Sequence, residues 1–497
     1  MMHDAGKSDG PVVPTKPPNK AEQSAAEAVE GRGPADGNAG QDAPPRTQSR
    51  IRADALLSRV RQAARKDRNA RLTALLHHVS LDRLRSAFYS LEKRASAGID
   101  GVTWAQYACS LEKNLQDLHA RLHRGAFRAK PSRRAYIPKA DGRQRPLGIA
   151  SLEDKLVQRA VVEVLNAIYE GDFVGFSYGF RPGRSQHDAL DALLVGIRRK
   201  KVNWVLDADI RGFFDTLDHG WLMKFVAHRI GDPRILKLIQ QWLSAGVLEG
   251  GRWTSSEEGT PQGASLSPLL ANVYLHYVFD LWIQQWRKQR AHGEVIVVRY
   301  ADDFIVGFQH ESTARAFQAE LEARLRRFHL ELHPDKTRLL RFGAFAATQR
   351  AERGEGKPET FCFLGFRHIC TKTKSGKYLV ARHTEAKRMH RKLREINTEL
   401  RRRWHIPVAE QGAWLRSVVR GFFQYHAVPT NTRRLDAFRH HVVRIWCRAL
   451  RRRGQQDRTS WNCVTRLARQ WLPPPLILHP WPEERFDART IGKSPVR

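Results

Sequence analysis

Five residues wedged between two apolar runs constrain this chain most. Val295 to Val298 and Phe304 to Phe308 are β-rich, and Arg299-Tyr-Ala-Asp302-Asp303 stands between them. That pattern reads as strand, turn, strand. A second acidic cluster, Asp207-Ala-Asp209-Ile-Arg-Gly-Phe-Phe214-Asp215, follows the strand signal Trp204-Val-Leu206, which ends near Ile210. Residues i and i+2 of a strand share a face, so Asp207 and Asp209 cannot both be buried cheaply. Acids at a strand end and in a hairpin make sense where they share cations.

The chain of 497 residues suggests about three domains, at roughly 150 residues each. Lys plus Arg number 85 against 51 Asp plus Glu, a formal net charge of +34. Solubility needs a charge of only about 2–8 on a small domain. The excess repels itself and calls for a polyanion, with nucleic acid the natural candidate. An anionic membrane would need an amphipathic basic helix or a lipid anchor, and neither stands out. The most apolar stretch, Leu266 to Ile283, is broken by Asn272, His276 and Asp280 and reads as a buried helix, not a span. The five cysteines, at 109, 362, 370, 447 and 463, show no CxxC pair, so neither a disulfide framework nor a zinc site is indicated. The first fifty residues contain no signal-peptide core. Both features fit a reducing cytoplasm.

Five segments are expected. Residues 1–50 form a low-complexity leader too poor in large apolar residues to fold. Residues 51–130 are helical, with a turn at Ser96–Gly101. Residues 131–380 alternate hairpins and helices, an α+β pattern with an antiparallel sheet. They open with two strands around Asp141-Gly142 and include helical patterns at Leu152–Tyr169, His219–Ala245 and Thr313–Phe328. Residues 381–480 are helical and very basic. Residues 481–497 read as a short basic tail.

The acids suit one chemistry. In nucleotidyl transfer a sugar hydroxyl attacks an α-phosphate in line, and two Mg²⁺ ions about 4 Å apart can stabilise the attacking and leaving oxygens. Magnesium takes hard oxygen ligands, typically one or two carboxylates plus substrate phosphates. Taken alone, Asp-Asp between apolar runs is also an ordinary turn.

Other blocks stand in a telling order. Tyr300-Ala-Asp-Asp303 resembles the hallmark of reverse transcriptases, and Asp207–Asp215 is similar to the block carrying their first catalytic aspartate. The resemblance implies that Asp209, Asp302 and Asp303 are catalytic and hold two Mg²⁺ ions. It makes Phe214 the steric gate against a 2′-hydroxyl. Ile137-Pro-Lys139-Ala-Asp-Gly-Arg-Gln-Arg145 resembles the fingers hairpin, with Lys139 and Arg145 gripping the triphosphate. Tyr178–Ser185 is placed near template or nucleotide. Gly259-Thr-Pro-Gln262-Gly263 resembles the loop bordering the incoming nucleotide, with Gln262 its contact. His333-Pro-Asp-Lys336-Thr resembles the block with a lysine near the leaving pyrophosphate. Phe361-Cys-Phe-Leu-Gly365-Phe resembles the primer grip.

The whole, over roughly residues 70 to 480, is most similar to the group II intron reverse transcriptases, or maturases. Gly98–Thr103 resembles their amino-terminal extension, and Arg420-Gly-Phe-Phe-Gln-Tyr425 their maturase signature. The implied architecture is a right-hand polymerase, with fingers and palm, followed by an α-helical thumb or maturase domain. The implied partners are the group II intron RNA, an RNA template with DNA primer, dNTPs and target DNA, with no membrane. Arg401-Arg402-Arg403-Trp404 and Arg451-Arg452-Arg453 are the candidate RNA contacts, because arginines bind phosphate and aromatics stack on unpaired bases. The end of the sequence lacks the Cys-pair spacing of the endonuclease found in many relatives, so no nuclease is expected. A defence or diversity-generating reverse transcriptase, or a non-enzymatic splicing cofactor, remains the alternative.

Overall fold

A computed structural model describes residues 57–138, 144–255, 258–260, 263–453 and 460–490. The expected leader, Lys139, the Asp141-Gly142 turn, Gln262 and the last seven residues lie outside them.

A helix over residues 57–66 is followed by helices at Leu81–Ser90, Trp104–Ala108 and Leu111–His123. Thr103 and Gln106 form a reciprocal capping box at Trp104–Ala108. Strands β1 (Ser132–Pro138) and β2 (Gln144–Ile149) pair antiparallel, and β1 runs parallel to β4 (Val247–Glu249), which pairs with β5 (Arg252–Thr254). Between them come helices at Leu152–Asp172 and Gln186–Arg199 and strand β3 (Trp204–Ala208).

The central sheet has the order β6 (Val295–Tyr300), β7 (Asp303–Phe308), β3, β8 (Arg338–Arg341), and every neighbour is antiparallel. Its strands are apolar on both faces. Leu206, Val297, Phe304 and Val306 join one core with the amino-terminal helices. Val205, Ile296, Val298, Ile305 and Leu340 join a second core with the Gln186–Arg199 helix. A fully buried aliphatic side chain contributes roughly 1.5–3 kcal/mol. Val297, Val298, Ile305 and Val306 thus supply about 6 kcal/mol or more. Two like charges 4 Å apart near a surface repel by about 4 kcal/mol. The strands can therefore carry acids at their ends.

Two helical readings need correction. His219–Ala245 is two helices, His219–Arg229 and Pro233–Ser244. The break is at Gly231-Asp232-Pro233, where Asp232 caps the second helix and proline takes its first turn. Leu266–Ile283 is buried and helical as expected. It is interrupted, however, by a π-helix at His276–Asp280, between Ser267–Leu275 and Leu281–Gln289.

A second sheet, β11-β10-β9, follows the helix at Ala346–Glu352. Strands β9 (Thr360–Phe363) and β10 (Phe366–Lys372) join through Leu364 and Gly365, at φ 48° and 77°, the signs of a two-residue I′ hairpin turn. Strand β11 (Tyr378–Thr384) completes it. Helices at Ala386–Arg402, Val408–His426, Thr432–Arg451 and Trp461–Trp471 then build a third core around Trp446 and Phe438.

The chain does not trail off where a basic tail was expected. Pro482–Thr490 is a helix lying on Gln186–Arg199, with Phe486 buried. Arg485 reaches Asp191 at 2.5 Å, Arg489 reaches Asp188 at 2.5 Å, and Arg199 reaches Asp487 at 2.6 Å. Arg198 pairs with Glu483. Glu483 and Asp487 answer the arginines that close the earlier helix. The sequence reading missed this because each partner lies nearly three hundred residues away.

Candidate active site

The β6–β7 hairpin closes at the Tyr300–Asp303 pair, leaving Ala301 and Asp302 as its loop. Strand β3 lies beside β7 with Ala208 opposite Phe304, so one step further along this register sets Asp209 beside Asp303. The Asp209 carboxylate acts on the Asp303 carboxyl and raises its pKa. Asp302 stands within the field of both Asp209 and Asp303. Two acids ninety-odd residues apart in sequence are thus neighbours because antiparallel pairing makes them so.

The electrostatics of the cleft follow. Desolvation by surrounding protein pushes the Asp302 carboxyl up to about 6, and the charge of Asp209 adds to this. Lys336 and Arg145 pull the other way. Asp303 keeps solvent access at the strand end, yet protein crowding and then the charges of Asp302 and Asp209 hold it well above the usual carboxylate range. Burial raises Asp207 to about 6, against the opposing pull of Arg338 at 3.4 Å. Lys336 forms an ion pair with Asp209. The backbone brings it there: His333 N donates to Asp209 O at 2.8 Å, and Thr337 N to His333 O at 2.9 Å.

Three further segments converge on this cleft. Phe214, half-buried, follows Gly212 in left-handed backbone at φ 57°. Its carbonyl accepts from Thr260 N at 2.8 Å. Gly259, at φ 78°, lies so close that a Cβ would stand 2.8 Å from Phe214 O. Gly263 approaches strand β2, where a Cβ would meet Gly148 O at 3.1 Å. Arg145, exposed on β2, acts on Asp302. The structure therefore brings Asp209, Asp302, Asp303 and Lys336 together with Arg145 acting on Asp302, and places Phe214 against the Gly259-Thr260 segment.

A reverse transcriptase (RNA-dependent DNA polymerase) family model matches residues 137–368, the span that builds this cleft. Protein YkfC of Escherichia coli K12 is 35% identical over 275 residues, covering 49% of this chain and 71% of that protein. This chain is a reverse transcriptase family member. Group II intron-encoded protein LtrA of Lactococcus lactis subsp. cremoris is 36% identical over 220 residues, 44% of this chain and 36% of that protein. Nuclear intron maturase 3 of Arabidopsis thaliana is 30% identical over 131 residues, 26% of this chain and 18% of that protein. The chain thus spans about a third of LtrA's length and about a fifth of the plant maturase's.

Reverse transcriptases use divalent metal ions, and the donors here suit one. They are hard oxygens in a crowded, mutually repelling set that a cation would relieve. Among the described residues no group of three or more His, Cys, Asp or Glu side chains, the three aspartates included, forms a cage placed to hold a metal ion. A magnesium-like ion needs no such cage, because it takes one or two carboxylates and completes its shell with phosphate and water.

In the reverse transcriptase's helical region the two basic runs adjoin, since Arg453 donates to the carbonyl of Ile406, beside Trp404. Arg401 and Arg402 are exposed at a helix end, as is Trp404 at 52%. Arg403 is tied to Glu399 at 2.6 Å and lies over the Trp414 ring. Arg452 is exposed, and Arg451 closes the Thr432–Arg451 helix. Trp446 is core, with its indole donating to Gln411. Tryptophan here is thus divided between packing and surface.

The Tyr178–Ser185 block lies behind the acidic turn. Tyr178 N donates to Arg299 O at 2.9 Å, and buried Arg181 binds Glu170. Sequence reasoning missed Arg299, Asp280 and Asn272, which also stand behind the turn. The available signals were a charge at Arg299, directly after the apolar run Val295–Val298, and the polar breaks Asn272 and Asp280 in the apolar stretch Leu266–Ile283.

Proposed function

We propose that this chain is an RNA-directed DNA polymerase that also binds a group II intron RNA, assisting its splicing and copying it into DNA. The pairing of β3 with β7, which sets Asp209 beside the Asp302-Asp303 turn, carries this reading. In a right-hand layout the hairpin β1–β2 serves as fingers, the central sheet as palm and the carboxy-terminal helices as thumb. Two Mg²⁺ ions held by Asp209, Asp302 and Asp303 would supply Lewis-acid stabilisation of the attacking and leaving oxygens. Arg145 holds the triphosphate from strand β2, and Lys139, outside the described residues, shares that role. Gln262 borders the incoming nucleotide. Phe214 presents a ring to the sugar and favours deoxynucleotides. Lys336, paired with Asp209, would be the group placed to give a proton to the departing pyrophosphate.

The carboxy-terminal arginines Arg401–Arg403 and Arg451–Arg453, with Trp404, serve the RNA. The exposure of Arg401, Arg402, Trp404, Arg451 and Arg452 and the adjacency of the two runs support this, as do LtrA and the plant maturase as relatives. A template with DNA primer, dNTPs and target DNA complete the partners. No helix among the described residues is long and apolar enough to cross a membrane, and a nucleic-acid-associated, cytoplasmic setting is proposed.

The test is primer extension by the full chain on an RNA template with dNTPs and Mg²⁺. Asp302→Ala should lower the rate by about 10³-fold or more, several kcal/mol of lost transition-state stabilisation. Its affinity for RNA should stay within about twofold, since binding resides in the basic helices. Extension at the wild-type rate by pure Asp302→Ala protein would refute the metal assignment.

A further inference from the structure

The turn carrying Asp302 and Asp303 holds a backbone its residues do not favour. Ala301 has φ 56°, and Phe180, beside it through Gly179, has φ 57°. Left-handed backbone at such residues persists only where the surroundings over-determine it. Here the surroundings are a single buried polar network.

Its hub is Arg299, fully buried two residues before Ala301. A guanidinium has five N–H donors in a rigid fork, and all five are used. Nε and Nη2 donate to the Asp280 carboxylate at 2.7 and 2.5 Å. Nη2 also donates to Ser177 Oγ at 2.8 Å. Nη1 donates to Asn272 Oδ1 at 3.0 Å and to the Ala301 carbonyl at 3.0 Å. Asn272 then donates from Nδ2 to Gly179 O at 2.7 Å. Gly179 lies against the turn so closely that a Cβ would stand 2.3 Å from Ala301 N. Asp280 ends the π-helix of His276–Asp280. One such wide turn rotates every later side chain, and π turns recur at functional sites.

We infer that Arg299, oriented by Asp280, Asn272 and Ser177, is a positioning residue: it holds the Ala301 carbonyl and so sets where Asp302 and Asp303 project. None of these groups touches the reacting atoms. Stability alone does not account for the arrangement, because well-packed apolar residues commonly match or exceed a buried ion pair. The donor left over after Asp280, Asn272 and Ser177 are served goes to the left-handed residue of the acidic turn. The inference rests on reading that turn as the polymerase's metal-binding acids.

The test compares wild type, Asp280→Asn and Ser177→Ala in the full chain. Mn²⁺ is titrated into complexes with an RNA template, a dideoxy-terminated primer and a dNTP, and binding is read by electron paramagnetic resonance. Extension is then measured against Mg²⁺ concentration. Groups that orient metal ligands typically change affinity or activity about 10–100-fold when removed. Asp280→Asn should show such a weakening of Mn²⁺ binding, with a matching rise in the Mg²⁺ needed for half-maximal extension. Ser177→Ala, which deletes one hydroxyl, should show a smaller shift in the same direction. A merely structural role would lower the amount of active protein and leave both metal midpoints unmoved. Folded variants with wild-type metal midpoints overturn the inference, and Ser177→Ala decides alone if Asp280→Asn does not fold. Failure of the wild type to extend any primer would instead sink the polymerase reading, while the Mn²⁺ comparison would still decide the role of Arg299.

Discussion

Behind the acidic turn, Arg299 is buried with its five donors matched one for one to acceptors. At the end of the Ala386–Arg402 helix, Arg401 and Arg402 stand in solvent. The same residue type does opposite work. In the interior an unmatched donor is expensive, so the network admits one geometry and transmits it to its neighbours. At the surface, water satisfies the guanidinium and ion pairs are worth about 0–1 kcal/mol. Those arginines remain available to phosphates and specify no fold. The acidic cleft needs geometry within fractions of an ångström, whereas the basic helices need charge.

Changes behind the turn should therefore cost both fold and activity. Gly179→Ala should have the largest effect, because its new Cβ would lie 2.3 Å from the Ala301 nitrogen. Overpacking against backbone costs about 1–3 kcal/mol or more, and the displaced turn should lose extension activity. Chemical denaturation and primer extension check this. Wild-type values in both would show that the turn tolerates movement and would break the contrast.

Asp232 extends the comparison to a carboxylate. Burial alone would raise its pKa. Hydrogen bonds from the Arg234 side chain and from the Leu76 and Leu75 amides outweigh burial and bring it down to about 2. A carboxyl lowered in the folded state contributes stability above its unfolded pKa of about 3.9 and loses it as pH falls through about 2. Allowing for solvent screening, the contribution is on the order of 1–2 kcal/mol. The stability difference between wild type and Asp232→Asn should shrink across that window in urea titrations. A pH-independent difference would assign the effect to packing.

The smallest change in stability belongs to the surface. The double variant Arg401→Ala with Arg402→Ala should shift stability by less than about 0.5 kcal/mol. Its RNA affinity should fall, and the slope of log affinity against log salt should decrease by about 1.4, at roughly 0.7 per single-strand phosphate contact. An unchanged slope would mean that these arginines do not meet phosphate.

The acidic turn was legible because its signal is local: two apolar runs, a break and paired acids. The order of the surrounding blocks was legible for the same reason, as were the helices between residues 57 and 123 and the basic helices beyond Ala386. Gly231-Asp232-Pro233 could have been read as a helix break, since Asp and Pro carry that meaning in sequence.

Other features had no local trace. Arg299 finds Asp280, Asn272 and Ser177 at separations of 19, 27 and 122 residues. Pro482–Thr490 finds its helix at separations of 285 to 301. Backbone propensity and hydrophobic period act over a turn or a strand. Which buried charges meet is decided only when packed elements exclude water and leave each donor a single acceptor in reach. The sequence by itself determined that acids would sit at strand ends and that arginines would crowd the helices; the tertiary structure alone decided which arginine was taken inside to hold the acids still.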